Sequence, residues 1–162
     1  MGQMLAVIQK GKSGYVARFE RQMNHPVEKV WAMLTENEKL ALWFSELRVE
    51  NLCEGGTMAF DMRDGTFGKF PITDFQDQSV LAYTWGEDHV RFELHDAVNG
   101  CRLVLAETIQ KINDHTAKDL AGWHVCLNVI EALLDGRTVV SRQDDWKNWY
   151  KKYMAAVKEA AR

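Results

Sequence analysis

The sequence predicts an α+β fold in which a curved antiparallel sheet of six or seven strands wraps around one long helix near the C-terminal end. Two short helices follow the first strand. Three observations carry this reading. Tyr15 to Met23 and six runs between Leu47 and Thr108 read as strands, several showing alternation. Gly and Asp clusters punctuate those runs as hairpin turns do. Finally, Leu120, Trp123, Leu127, Ile130 and Leu134 recur at helical spacing over a stretch that comes after all the strands.

Taken in order, Tyr15, Ala17, Phe19 and Met23 fall on one face of the first strand, opposite Arg18, Glu20 and Gln22. Pro26 suits a first helical turn, where its missing N–H wastes no hydrogen bond, and Val27, Val30, Trp31 and Leu34 follow at helical spacing. Thr35 with Glu38 three residues on reads as the capping box of a second short helix carrying Leu40, Leu42, Trp43 and Phe44. Strands are expected at 47–52, 57–62, 69–75, 80–85, 90–94 and 102–108, with Pro71 demanding an edge, a bulge or an unpaired position. Asn99-Gly100 is the strongest turn signal. Thr116 and Asp119 read as the start of the long helix, and Asp135-Gly136 as its end. About nineteen residues at ~1.5 Å each span roughly 28 Å, enough to cross a strongly curved sheet. A last amphipathic segment sets Trp146, Trp149, Tyr150, Tyr153 and Val157 against Lys147, Lys151, Lys152 and Lys158. Its expected role is docking onto the body of the fold, the alternative being a self-association face.

The 162 residues fit one domain, 1–162, and the mix of 46% hydrophobic and 27% charged residues is that of an ordinary folded chain. A net charge of −3, from 20 basic and 23 acidic residues interspersed, gives no broad positive field, so nucleic acid is not an expected partner. No apolar run reaches the ~20 residues of a membrane span. The N-terminal apolar stretch is short and followed by Lys10 and Lys12, which argues against a signal peptide. Met1-Gly2 lacks the Ser or Thr of a myristoylation motif where Ala6 stands. Cys53, Cys101 and Cys126 are scattered and odd in number, which fits a reducing compartment. The expected location is cytoplasmic.

No nucleophile elbow, phosphate loop or metal-ligating spacing is present, and the five histidines do not converge. No catalytic residue, metal or cofactor is therefore expected. Arg21 and Glu107 each share parity with the apolar face of their strands, and an unpaired buried charge costs several kcal/mol. The two are expected to meet as a pair or to face a wet cavity. The residues expected to line a gap between long helix and sheet are Arg21, Trp43, Phe60, Phe70, Tyr83, Trp85, Glu107, Trp123 and Leu127.

Arg21-x-Met23-x-His25-Pro26-Val27-x-x-Val30-Trp31, Asn37-Glu38-Lys39-Leu40 before Trp43-Phe44, Gly55-Gly56, Leu81-x-Tyr83-x-Trp85, Gly100-Cys101-Arg102-Leu103 and Gly122-Trp123 stand in a telling order. Together they resemble the START-like SRPBCC superfamily, whose scaffold is the helix-grip (Bet v-like) fold. More narrowly, they resemble bacterial homologues of the C-terminal domain of the activator of the 90-kDa heat-shock chaperone ATPase. The resemblance covers about 15–136, leaving 137–162 as a C-terminal amphipathic extension. Many relatives carry a Thr-His pair where Ala106-Glu107-Thr108 stands here, so no role passes to that position. The superfamily holds lipid carriers, hormone receptors, polyketide cyclases and chaperone cofactors on one scaffold. The gap between long helix and sheet, with no catalytic motif, is expected to make the protein a non-enzymatic module that holds a small apolar molecule, with a carboxylate or other polar end as a variant. Its alternatives are a chaperone-contacting domain in a stress-response setting and a cyclase- or aromatase-like enzyme. The expected assembly is a monomer or weak homodimer.

Overall fold

The computed structural model describes residues 4–162, so the Met1-Gly2 start lies outside the described residues. Strands β1 (Val7–Lys10) and β2 (Tyr15–Met23) precede helices α1 (Val27–Thr35) and α2 (Asn37–Trp43). Strands β3 (Leu47–Asn51), β4 (Thr57–Asp61), β5 (Phe67–Gln76), β6 (Val80–Trp85), β7 (Asp88–Ala97) and β8 (Gly100–Ile109) follow, then α3 (Thr116–Leu134) and α4 (Arg142–Ala160). The sheet has eight strands in the order β1-β2-β8-β7-β6-β5-β4-β3, every neighbouring pair antiparallel. The α+β helix-grip architecture is that expected, with one strand more. β1 is short and mostly exposed, so its residues carry no alternation that a sequence reading could detect.

The alternation of β2 is realised as written, with Ala17, Phe19, Arg21 and Met23 inward and Arg18, Glu20 and Gln22 outward. At the β7–β8 turn Asn99 and Gly100 both take positive φ, and a Cβ on Gly100 would lie 2.0 Å from the Met23 carbonyl oxygen. Only glycine fits there, and the hairpin register follows from it. Pro71 pairs with Thr57 of β4, while the β5–β6 register begins at Ile72↔Tyr83 and is shifted by a bulge between Ile72 and Asp74. The missing N–H of Pro71 therefore falls where the ladder toward β6 has already ended.

Two expected caps are corrected. Thr35 is the last residue of α1, and its hydroxyl donates back to the Trp31 carbonyl at 2.9 Å; Glu36 is the N-cap of α2. His115 is the N-cap of α3, and Thr116 Oγ1 accepts from the Asn113 N–H at 3.0 Å. Side-chain hydroxyls at helix starts have more than one local backbone partner, and here loop geometry selects another.

Helix α3 is buried on nearly every side. Leu120, Trp123, Leu127 and Ile130 are at most 2% exposed, and each buried aliphatic side chain contributes about 1.5–3 kcal/mol. The face turned away from the sheet is covered by α4, which also reaches β1. Trp149, Tyr153 and Val157 of α4 are buried, and the Tyr153 hydroxyl accepts the Ala6 N–H at 2.9 Å. The aromatic stripe of the last segment is thus a docking face, which explains why α3 can be apolar all round.

Candidate functional site

The space between α3 and the sheet is filled. Rings of Phe44, Phe60, Phe70, Tyr83, Trp85, Phe92 and Trp123 form one continuous set of contacts with centroids 5.1–6.4 Å apart. Their edge-to-face and tilted arrangements are those that aromatic quadrupoles favour. An elongated gap along the helix is therefore replaced by two clefts at one end of the grip, where α2 ends, α3 begins and α4 begins.

The first cleft has a volume of about 740 Å3. Trp43 and Trp123 are its buried floor, Trp85 and Trp146 its half-buried walls, and Lys118, Asp119, Cys126 and Arg142 its polar groups. Gly122 leaves the middle of the α3 wall bare. Arg142 Nη2 donates to the Trp43 carbonyl at 2.7 Å and lies 3.4 Å from Cys126 Sγ. Trp146 Nε1 donates to the Lys118 carbonyl at 3.3 Å. Among the described residues neither Lys118 nor Arg142 takes part in an ion pair, whereas Glu46 at the rim is neutralised by Arg63 at 3.7 Å. Burial pushes the Cys126 thiol up to about 12 against the opposing pull of Arg142.

The second cleft, of about 350 Å3, lies on the other side of Trp85 and Asp119. Phe60, Phe70 and Trp85 form its aromatic wall, and Glu87, Asp88, Asp119 and Lys111 supply its charges. Asp119 Oδ1 accepts the Trp85 indole N–H at 3.0 Å.

Glu107 stands behind these clefts, wholly buried. As a carboxylate it finds no donor for either oxygen. Burial first, then its contact with the Asp119 carboxyl and the charge of Asp88, hold its pKa well above the usual carboxylate range. When protonated, Glu107 donates toward the Asp119 carboxyl.

The expected Arg21–Glu107 pair does not form. Arg21 stands opposite Leu103 and Glu107 opposite Ala17, four residues apart along β8. At ~3.3 Å per residue that separation is roughly 13 Å, too far for a hydrogen bond. Arg21 instead places Nη2 3.4 Å from both ring nitrogens of His124 and donates Nη1 to the Glu20 carbonyl at 3.3 Å. The His124 ring lies 2.7 Å through Nδ1 from the Tyr153 hydroxyl and stacks on Trp149 at 3.7 Å. Burial lowers the Arg21 pKa, while Tyr153 and Glu131 act to raise it. Parity along the strand correctly turned both charges inward, but register, which parity does not encode, separated them.

Of the nine residues expected to line a cavity, Trp43, Trp85 and Trp123 border the first cleft, and Phe60, Phe70 and Trp85 the second. Tyr83 and Leu127 are packed in the core, at 1% exposure each, and Arg21 and Glu107 border neither cleft. The sequence reading missed Lys118, Asp119 and Arg142 as site groups. Arg142 begins a helix that projects back over the cleft, and only the tertiary docking of α4 puts it there.

A curved antiparallel sheet gripping a long helix, with clefts at the open end, defines a START-like protein. Residues 24–135, more than half of the chain, match the family model described as "Activator of Hsp90 ATPase homolog 1-like protein", and the chain belongs to that family. No protein of curated function matches the sequence. Among solved structures, a conserved protein of unknown function from Enterococcus faecalis, EF2215, superposes with a TM-score of 0.85 at 24% identity, over 96% of this chain and 91% of that one. A Bordetella parapertussis protein, encoded by the gene BPP1335, gives 0.71 at 24% identity over 93% of this chain and 94% of that one. CalU16 from Micromonospora echinospora gives 0.69 at 18% identity over 93% and 94% of the two chains. These likenesses establish the shared fold. No helix among the described residues is long and apolar enough to cross a membrane.

Proposed function

We propose that this protein is a binding module that holds a small, largely aromatic molecule bearing an anionic end in the first cleft. One observation carries the reading: four indoles converge on a cleft of about 740 Å3 whose rim presents two cations, Lys118 and Arg142, without carboxylate partners. Volumes of this order suit a drug-sized ligand, and a few placed polar groups fix its orientation. Arg142 spends one Nη2 hydrogen on the Trp43 carbonyl and has further N–H groups on its guanidinium for a planar anion. Holding rather than transforming is favoured because the cleft's thiol, Cys126, is pushed up to about 12, the opposite of an activated nucleophile.

The test is a fluorescence titration with 2-naphthoate and with its neutral relative 2-naphthalenemethanol. The acid should bind more tightly, and Arg142→Gln should weaken it by about tenfold while leaving the alcohol unchanged. Equal binding of the two compounds, or none at millimolar concentration, would remove the anion from the account. The family description favours a second reading, a chaperone-contacting module. Retention of the protein by the 90-kDa heat-shock chaperone, together with silence toward both naphthyl compounds, would favour that reading instead.

A further inference from the structure

We propose that the second cleft is a separate binding site for a small organic cation of the alkylammonium class. The site is made of one aromatic wall and one acidic wall. Phe60, Phe70 and Trp85 touch each other pairwise, with centroids 6.2, 5.9 and 5.3 Å apart, and all three are half-buried, so their faces are partly open. Opposite them stand Asp88 and Asp119, neither of which takes part in an ion pair among the described residues. Glu107, behind the cleft, adds an independent pointer: it is wholly buried, both its oxygens lack a donor, and the acidic charges that act on it are those of Asp119 and Asp88.

Carboxyls gathered in excess of the cations beside them are an arrangement that a chain avoids unless something compensates it. Protonation of Glu107 removes a single charge. Asp88, Glu87 and Asp119 then face Lys111 and the imidazole of His115. An ammonium ion supplies the missing charge, and its N-alkyl groups lie against aromatic faces whose quadrupoles attract it. Inorganic cations fit less well, because half the wall is hydrocarbon and offers no oxygen ligand. The volume of about 350 Å3 accommodates a choline-sized molecule.

The probe is choline, compared with 3,3-dimethylbutan-1-ol, which replaces the charged nitrogen by carbon at nearly the same shape. Binding is followed by the indole N–H resonances of 15N-labelled protein, since Trp85 borders this cleft while Trp123 and Trp146 border only the first. The expected result is that choline moves the Trp85 signal and binds at least about tenfold more tightly than the alcohol. Asp88→Asn should erase that preference, and Phe70→Leu should weaken choline more than the alcohol, each in protein whose circular dichroism is unchanged. Equal affinities of choline and alcohol, retention of the preference in both variants, or an unmoved Trp85 signal at millimolar choline would overturn the proposal. Choline in this cleft should leave Trp123 and Trp146 unmoved, whereas 2-naphthoate in the first cleft moves Trp146, so the two results are read separately.

Discussion

Gly122 offers the sharpest separation of stability from function. It lies mid-helix in α3, where glycine is less favourable than alanine by about 0.5–1 kcal/mol because its backbone loses more freedom on folding. A Cβ built there meets nothing within 4 Å, since the position opens onto the first cleft. Gly122→Ala should therefore stabilise the protein by about 0.5–1 kcal/mol, with no clash to offset the gain. Urea unfolding followed by circular dichroism should show a higher midpoint at an unchanged slope. The same methyl projects into the space assigned to the ligand, so 2-naphthoate should bind more weakly, and Gly122→Leu should abolish binding while the fold persists. A variant that is stabilised yet binds 2-naphthoate as the parent does would refute the placement of the ligand. Destabilisation by alanine would refute the open face itself.

Three further outcomes follow from the buried polar groups. Glu107 has a folded-state pKa raised by burial and by Asp119 and Asp88, so the folded state holds its proton more tightly than the unfolded chain. Its contribution is fully present below about pH 4.3, the unfolded value, and is lost as pH rises through the folded value. Glu107→Gln, which cannot ionise, should flatten that loss in unfolding curves taken from acid to neutral pH; an unchanged profile would contradict it. A double-mutant cycle on Arg21 and Glu107 should be additive within about 0.5 kcal/mol, because the groups share no contact; a larger coupling would restore the pair. A mild thiol reagent at neutral pH should label exposed Cys53 and spare buried Cys101 and Cys126, whose thiols burial pushes up, Cys126 to about 12. Equal labelling rates across the three, read by peptide mass spectrometry, would contradict the burial.

The architecture was legible because its signals are periodic and local. The alternation of β2, the Asn99-Gly100 turn and the stripe from Leu120 to Ile130 each name an element and its buried face. β1 was not legible, because a four-residue edge strand with exposed side chains leaves no pattern. The inward parity of Arg21 and Glu107 was readable, but their distance depends on a register fixed by hairpins elsewhere in the sheet. Trp43, Trp85 and Trp123 could be named as interior aromatics from their spacing. That they fill the grip, with the two clefts at its end, follows from how their rings pack together. Lys118 and Arg142 belong to exposed helix surfaces in the sequence, and their meeting at one rim arises only when α4 docks on α3.

The chain has six tryptophans, and the indole resonances of 15N-labelled protein titrated with 2-naphthoate test the central claim most directly. Trp43, Trp85, Trp123 and Trp146 border the first cleft, whereas Trp31 packs on Phe75 and Trp149 stacks on His124 away from it. The account predicts saturable shifts at Trp85 and Trp146 above all, smaller ones at Trp43 and Trp123, and none at Trp31 and Trp149. Shifts centred on Trp31 or Trp149, or six silent indoles at saturating naphthoate, would contradict it.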